Sequence, residues 1–359
     1  MNIDLKKLVG RIIEPTKTIL QAMKQMDEND IKLLIILEED IFVGLISIGD
    51  IQRAIIKNIS LDSNLKDVIR TNIKVAHIED DFNAIKEVMI EYRTECMPVL
   101  DGGKLVDIYF WDDVFPEERK INKFPSDIPV VIMAGGKGTR LKPITNVIPK
   151  PLVPIGDKPI MEIIIDSFHK LGSNTFYASV NYKADMIKYY FDSIEHSYHI
   201  DYFIEDRPLG TAGSMYLLKD KIHSTFFVSN CDIVIDQDYR EIYDFHKKNN
   251  YDISMIAAVK HYSIPYGTIE TGENGEMISM KEKPELNFKI NTGMYLLEPH
   301  VLQFIPDNEF LHITDLIEKV KENGGKIGVF PVSEKAWMDI GQWAEYQQTL
   351  KEFEKRFKL

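Results

Sequence analysis

The sequence predicts an α/β protein in two parts: a smaller α+β part built from a repeat, then a larger part with a mostly parallel sheet. Three observations carry that expectation. The 359 residues amount to about two domains at roughly 150 residues each. Roughly the first 120 residues state one pattern twice, about 63 residues apart. From Pro129 onward, short apolar runs alternate with amphipathic segments, as strands alternate with crossover helices around a parallel sheet.

The repeat opens with helical spacing over Ile19 to Met26, which leads into the apolar run Leu33-Leu34-Ile35-Ile36-Leu37. A turn at Glu38-Glu39-Asp40 is followed by the strand Val43 to Ser47 and the helix Asp50 to Ile56. The second copy runs through Phe82 to Met89, Cys96 to Leu100, the turn Asp101-Gly102-Gly103, the strand Lys104 to Tyr109, and Asp112 to Phe115. Two prolines and a Ser-Asp pair in Phe124-Pro125-Ser126-Asp127-Ile128-Pro129 read as a linker. The expected parts are therefore 1–122, a linker at 123–128, and 129–359.

In the second part, Val130 to Ala134 is an apolar run that ends in glycines, as a buried parallel strand does. Strands follow at Thr175 to Val180, Ile200 to Ile204, Phe226 to Ser229 and Ile253 to Val259. Helices are expected at Pro159 to Lys170, Ala184 to Phe191, Thr211 to Leu218 and Tyr239 to Lys248. From Tyr266 to Leu297, short strands with Gly turns suggest a small antiparallel insertion. In such sheets ligands bind beyond the carboxyl ends of the strands.

Composition narrows the function. Apolar residues are 44% and charged residues 28%, ordinary for a globular chain and unlike a disordered or fibrous one. No apolar stretch approaches the ~18 residues of a membrane span. The opening MNIDLKKLVG lacks a signal-peptide core. Cys96 and Cys231 match no zinc or disulfide spacing, so a reduced, cytoplasmic protein without structural zinc is expected. A net charge of −13 argues against a nucleic-acid platform, although small phosphates can still be bound locally.

The most informative stretch is Ala134-Gly135-Gly136-Lys137-Gly138-Thr139-Arg140-Leu141. A Gly-rich loop after the first strand lets backbone N–H groups approach phosphates. It is not a dinucleotide fingerprint, because Leu141 holds the third glycine position, and this removes a nicotinamide dehydrogenase from consideration. It is not a P-loop either, because Gly138 follows Lys137 where Ser or Thr is required.

With Pro149-Lys150-Pro151-Leu152-Val153-Pro154-Ile155 just beyond, this loop resembles that of the sugar-1-phosphate nucleotidyltransferases. The resemblance extends through Leu209-Gly210-Thr211-Ala212, Asn230-Cys231-Asp232, Glu282-Lys283-Pro284, Asn291-Thr292-Gly293-Met294-Tyr295 and Trp337-Met338-Asp339-Ile340-Gly341. It implies a Rossmann-like nucleotidyltransferase domain that joins a nucleoside triphosphate to a sugar 1-phosphate. Ala134, Gly135, Gly136, Gly138, Thr139, Gly210 and Thr211 would line the nucleotide. Arg140 would clamp the outer phosphates and Lys150 the α-phosphate. Gly267, Glu282, Lys283, Asn291 and Thr292 would hold the sugar phosphate, and Asp232 and Asp339 would bind Mg2+.

Upstream, the repeat around Gly44-Leu45-Ile46-Ser47-Ile48-Gly49-Asp50 resembles a tandem CBS-domain pair, in which Ser47 and Asp50 would meet an adenine nucleotide. In the second copy, Phe110 stands in place of that serine. The fusion resembles guanylyltransferases of nonulosonic (legionaminic-type) acid synthesis, which use GTP and glucosamine 1-phosphate. The transferase part also resembles mannose-1-phosphate guanylyltransferases. UTP-, dTTP- and CTP-using relatives remain alternatives.

Plainer roles stay open for these residues. Lys150 and Lys283 could be solvated loop lysines, and Asp50, Asp232 and Asp339 helix caps. Gly267 could be an ordinary strand glycine. The CBS pair could serve only to assemble a homo-oligomer, and the whole chain could be a silent sensor of nucleotide sugars. Neither nucleic acid nor membrane is expected as a partner.

Overall fold

The computed structural model describes residues 8–92, 94–115, 122–343, 345–347 and 349–350. Its contacts divide the chain after Lys120 into two compact units.

The first unit has β1 (Ile12–Ile13), α1 (Ile19–Asn29), β2 (Leu33–Glu38), β3 (Ile41–Ser47) and α2 (Ile48–Ile56). The second copy supplies β4 (Ala76–His77), α3 (Phe82–Tyr92), β5 (Cys96–Asp101), β6 (Lys104–Phe110) and α4 (Trp111–Val114). The sheet order is β1-β2-β3-β6-β5-β4, so each copy contributes a hairpin flanked by one short parallel strand. The repeat extends to its irregularities. Register shifts fall between Ile36 and Leu37 in one hairpin and between Val99 and Leu100 in the other.

Thr18 begins α1 with a capping box closed by Gln21, and Ser47 begins α2 with one closed by Asp50. Phe110, at the same place before α4, offers no side-chain cap.

The second unit begins earlier than a linker would allow. Phe124 is buried among Phe227 and Tyr243 and donates its N–H to the Leu171 carbonyl. The Asp127 carboxylate accepts from the Asn174 N–H and the Thr175 hydroxyl. Apolar burial at Phe124 and Ile128 therefore outweighs the turn-forming prolines, and this stretch belongs to the second unit's core. Residues 116–121, next to the expected boundary, lie outside the described residues.

From there the chain runs through β7 (Val130–Met133), α5 (Ile144–Val147), β8 (Pro154–Ile155), β9 (Lys158–Pro159), α6 (Ile160–His169), β10 (Thr175–Val180), α7 (Ala184–Ser193), β11 (His199–Ile204), β12 (Phe226–Asn230) and β13 (Ile233–Ile235). It continues through α8 (Tyr239–Asn249), β14 (Ile253–Ser263), β15 (Thr268–Thr271), β16 (Met277–Lys281), β17 (Glu285–Leu297), α9 (Ile313–Glu322), β18 (Ile327–Ser333) and β19 (Trp337–Asp339).

Seven strands form the main sheet in the order β11-β10-β7-β12-β17-β14-β18. Of its six pairings only β12–β17 and β17–β14 are antiparallel. Successive residues of β7 serve opposite faces, as a central strand requires. Val130 and Ile132 pack with Phe168 and Phe227, whereas Val131 packs with Leu218, Leu302 and Leu316. The strand order reverses at β7, with β10 on one side and β12 on the other. That switch point is where an open α/β sheet leaves a crevice beyond its carboxyl edge.

Two further expectations differ from the structure. Thr211 to Leu218 is not an α-helix but a 3-10 turn over Gly213–Leu218. Gly210 and Gly213 lie so close to the Leu311 and Glu309 carbonyls that a β-carbon there would stand 2.5 and 2.4 Å from them, and the packing sets the backbone. The stretch from Tyr266 to Leu297 is also not all insertion. β15 and β16 form a two-stranded hairpin, but β17 is a 13-residue strand inside the main sheet.

Candidate active site

The loop after β7 is shaped by its glycines. Gly138 has φ +62°, and a β-carbon there would lie 2.9 Å from Thr145 and 3.0 Å from the β-carbon of Lys150. The Thr145 hydroxyl donates to the Gly138 carbonyl at 2.8 Å and pins the turn. Ala134 is buried and extends the pairing with β10 through its N–H to the Ser179 carbonyl. Gly136 faces open space, room that a ligand could fill. Thr139 and Arg140 follow, exposed, on a single 3-10 turn that ends at the buried Leu141.

Four of the charged side chains singled out in the sequence converge beside this loop. Lys150, on the turn Lys150–Leu152, forms an ion pair with Asp232 in which both side chains are about nine-tenths buried. Asp232 follows β12, and the pairing of β13 with β19 carries Asp339 to it: Ile233 stands opposite Asp339, and the Ile340 N–H donates to the Asp232 carbonyl at 2.9 Å. One Asp339 oxygen accepts from the Gly341 N–H at 2.6 Å. Gly341 is the centre of the cluster. A β-carbon on it would lie 2.8 Å from Asp232 Oδ2, 2.8 Å from Asp339 Oδ1 and 3.5 Å from Arg140 Nη2. Burial raises the Asp339 carboxyl above its ordinary range. The Asp232 charge adds to that rise, while the Gly341 N–H, Lys150 and Arg140 oppose it.

The donor set suits a hard divalent cation. Two adjacent carboxylates are what Mg2+ takes from a protein when phosphate oxygens and water complete its octahedron. Among the described residues no cluster of three or more His, Cys, Asp or Glu that could hold a metal ion is present. Cys231, beside Asp232, is fully buried, and burial pushes its thiol up to about 12, far from a reactive thiolate.

The expected sugar-side residues are spread over β15 to β17: Gly267 just before β15, Glu282 and Lys283 just before β17, and Asn291 and Thr292 in the middle of β17. Gly267 lies against the Glu282 carboxylate, with a β-carbon position 3.0 Å from Oε2. Lys283 is exposed in the β16–β17 turn at φ +44°. Asn291 and Thr292 are engaged within the sheet. Asn291 accepts from the Gly293 N–H and donates to the Tyr295 hydroxyl, and Thr292 is buried with its hydroxyl on the Ile256 carbonyl. These bonds hold the bulge opposite Ile256, where Gly293 takes φ +86° and its Cα faces Asn230. The two side chains thus shape the strand, and the exposed Glu282 and Lys283 carry the charges next to it. On the nucleotide side, the Thr211 hydroxyl accepts from the Ile313 N–H at the start of α9, so Gly210 and Thr211 offer backbone rather than side chain.

One buried carboxylate beside the loop had no signal in the sequence. Glu205, directly after β11, is buried, accepts from the Ser179 hydroxyl and from the Leu209 N–H, and lies 3.2 Å from the β-carbon position of Gly135. It is a carboxylate directly after a strand and four residues before Leu209-Gly210, which reads as ordinary loop charge in Glu205-Asp206-Arg207-Pro208.

In the first unit, Asp50 is engaged within the fold. It is buried and accepts from the Ser47 N–H and hydroxyl, from Arg70 Nε at 2.9 Å and from Arg53. The Ser47 hydroxyl both caps α2 and donates to Asp50, so the pair expected to hold an adenine nucleotide is occupied as a helix cap.

Residues 129–356 match the family model described as nucleotidyl transferase, and residues 6–57 match that of the CBS domain. The chain belongs to the nucleotidyl transferase family. A UTP–glucose-1-phosphate uridylyltransferase of Synechocystis sp. is 30% identical over 246 residues, covering 62% of each chain. A mannose-1-phosphate guanyltransferase of Yarrowia lipolytica is 32% identical over 222 residues, covering 59% of this chain and 60% of the other. The chain thus spans about three-fifths of the length of these curated relatives. Among solved structures, HddC from Yersinia pseudotuberculosis is 27% identical with a TM-score of 0.50, covering 63% of this chain and 99% of that one.

Proposed function

We propose that the chain transfers a nucleotidyl group from a nucleoside triphosphate to a sugar 1-phosphate. One observation carries this reading: Lys150, Arg140, Asp232 and Asp339 meet around Gly341 at the carboxyl edge of β7 and β12. A phosphate oxygen of the sugar 1-phosphate attacks the α-phosphorus. The α–β bridging P–O bond breaks, and its electron pair leaves with pyrophosphate. Several negative charges must be brought together, so the protein's work is positioning and electrostatic stabilisation. Lys150 faces the α-phosphate, Arg140 the outer phosphates, Lys283 the sugar phosphate and Glu282 the sugar hydroxyls. Asp232 and Asp339 would hold Mg2+, which when bound neutralises phosphate charge in the transition state.

For the substrates we favour GTP and glucosamine 1-phosphate, with mannose 1-phosphate as the second acceptor. The fusion of a CBS-type unit to this transferase supports the first pair, as in nonulosonic acid synthesis in the cytoplasm. The guanyltransferase names among the relatives support the second. For the first unit, the engagement of Asp50 favours assembly of a homo-oligomer over adenine-nucleotide binding at Ser47 and Asp50.

The test is a matrix of GTP, ATP, CTP, UTP and dTTP against several sugar 1-phosphates, read as pyrophosphate release. The highest kcat/KM is expected for GTP with glucosamine 1-phosphate. A better donor than GTP would overturn the choice of base. Silence in every cell of the matrix would favour a nucleotide-sugar sensor instead.

A further inference from the structure

Resting on that transferase reading, we propose that Lys183 and Tyr182 are positioning residues that latch the segment joining Arg140 to Lys150. The latch sets the spacing of these two cations for a triphosphate. With Arg140 on the outer phosphates and Lys150 on the α-phosphate, the two must be held in register with each other. Residues 142–149 connect them, and Lys142, Pro143, Asn146 and Val147 there are exposed, Val147 at 71%. Packing alone therefore grips this segment weakly at its outer side. Its buried Thr145 also pins the Gly-rich loop, through the hydroxyl on the Gly138 carbonyl.

The grip comes from the loop after β10, the strand that pairs with β7. Lys183 Nζ donates to the Asn146 carbonyl and to the Val147 carbonyl, at 2.6 Å each. Both lie at the C-terminal end of the four-residue α5, where backbone acceptors lack intrahelical donors and a cation is favoured. The Tyr182 hydroxyl donates to the Thr145 carbonyl at 3.2 Å. The Lys183 ammonium also lies 5.3 Å from the centre of the Tyr182 ring. Two adjacent side chains thus take three successive carbonyls of the connecting segment.

Local conformation shows that Lys183 does not serve the helix it precedes. It stands at the N-cap of α7 with φ +53° and ψ 39°, and its side chain makes no capping bond there. N-caps favour Ser, Thr, Asp, Asn or Gly, and the left-handed region favours Gly or Asn. A lysine breaks both rules. Such departures concentrate where a side chain has another role, and the two bonds to α5 supply one.

Lys183→Gly in the full chain separates this role from a purely structural one. Glycine relieves the left-handed backbone while removing both bonds, so the melting temperature should stay level or rise. The Asn146 and Ile148 amides, which donate to the Pro143 and Ile144 carbonyls, report the segment. Their hydrogen exchange in the ligand-free chain should quicken about tenfold or more. In the pyrophosphate-release assay, KM for the triphosphate should rise about tenfold, while KM for the sugar 1-phosphate stays within about twofold. Lys183→Met, similar in length but without donors, should give the same shifts, so the test survives if glycine perturbs α7. Unchanged exchange at Asn146 and Ile148 in both variants overturns the latch. Faster exchange with an unchanged KM for the triphosphate, or with equal rises in both KM values, overturns its positioning of the cations. A wild-type chain that releases no pyrophosphate contradicts the transferase reading instead, and the exchange rates then decide the latch by themselves.

Discussion

Asp232 and Asp339 approach each other because Gly341, between them, has no side chain. Gly341→Ala should separate the two carboxylates, lowering kcat about tenfold or more, and the added methyl, crowded against both carboxylates at a buried position, should also cost about 1–3 kcal/mol of stability. Asp232→Asn and Asp339→Asn should each remove several kcal/mol of transition-state stabilisation, roughly a thousand-fold in kcat/KM, with circular dichroism unchanged. Near-wild-type turnover in either variant at saturating magnesium would remove these residues from the metal site. The two aspartates lie far apart in sequence, and no periodicity joins them. Only their resemblance to family segments made the pairing legible, and the β13–β19 ladder is its physical cause. Glu205 had no comparable signal, because a charged residue in a loop is normally solvated.

At the scale of elements, apolar runs bounded by turns were the clearest signal: Thr175–Val180 is a strand at both ends as expected. β17 was obscured because its first half, Glu285 to Lys289, is exposed on both faces despite its polar–apolar alternation and gains its order from pairing along β14. The foundation of these strands holds a buried network. The His246 ring, fully buried, bonds Ser254 and Glu298, and Glu298 also accepts from Lys247 and Thr225. Burial alone would raise the Glu298 carboxyl, but the hydrogen bonds from His246, Lys247 and Thr225 override it and hold it down at about 2. A carboxyl depressed on folding stabilises the fold above its unfolded value of about 4.3, and that contribution fades as pH falls toward 2. Glu298→Gln should therefore cost about 2–3 kcal/mol near pH 7, with the gap to wild type closing in melts between about pH 5 and 2. A gap independent of pH would exclude the charge as its source. In the first unit, Asp50→Asn should destabilise by about 2 kcal/mol through loss of the cap and its two arginine contacts. AMP titrated into the full chain should show no site dependent on Asp50. Binding abolished by Asp50→Asn in a folded chain would return the residue to a ligand role.

For the whole molecule, the two units have different kinds of legibility. The repeat in the first was visible because each copy carries the same hairpin, and of the two roles open to Ser47 and Asp50 the structure displays the helix cap. In the second, the order of strands about β7 places the Gly-rich loop, the charged cluster and Glu205 along one sheet edge at the switch point. Among the described residues no helix is long and apolar enough to cross a membrane. The central claim is a nucleotidyl transfer, and following the α-phosphorus tests it most directly. With α-labelled GTP, glucosamine 1-phosphate and magnesium, the label should pass into a nucleotide sugar with equimolar pyrophosphate, and omission of the sugar phosphate or the metal should stop it. Label that stays in the triphosphate with every base and sugar phosphate tried, or that emerges as GDP, would contradict the account.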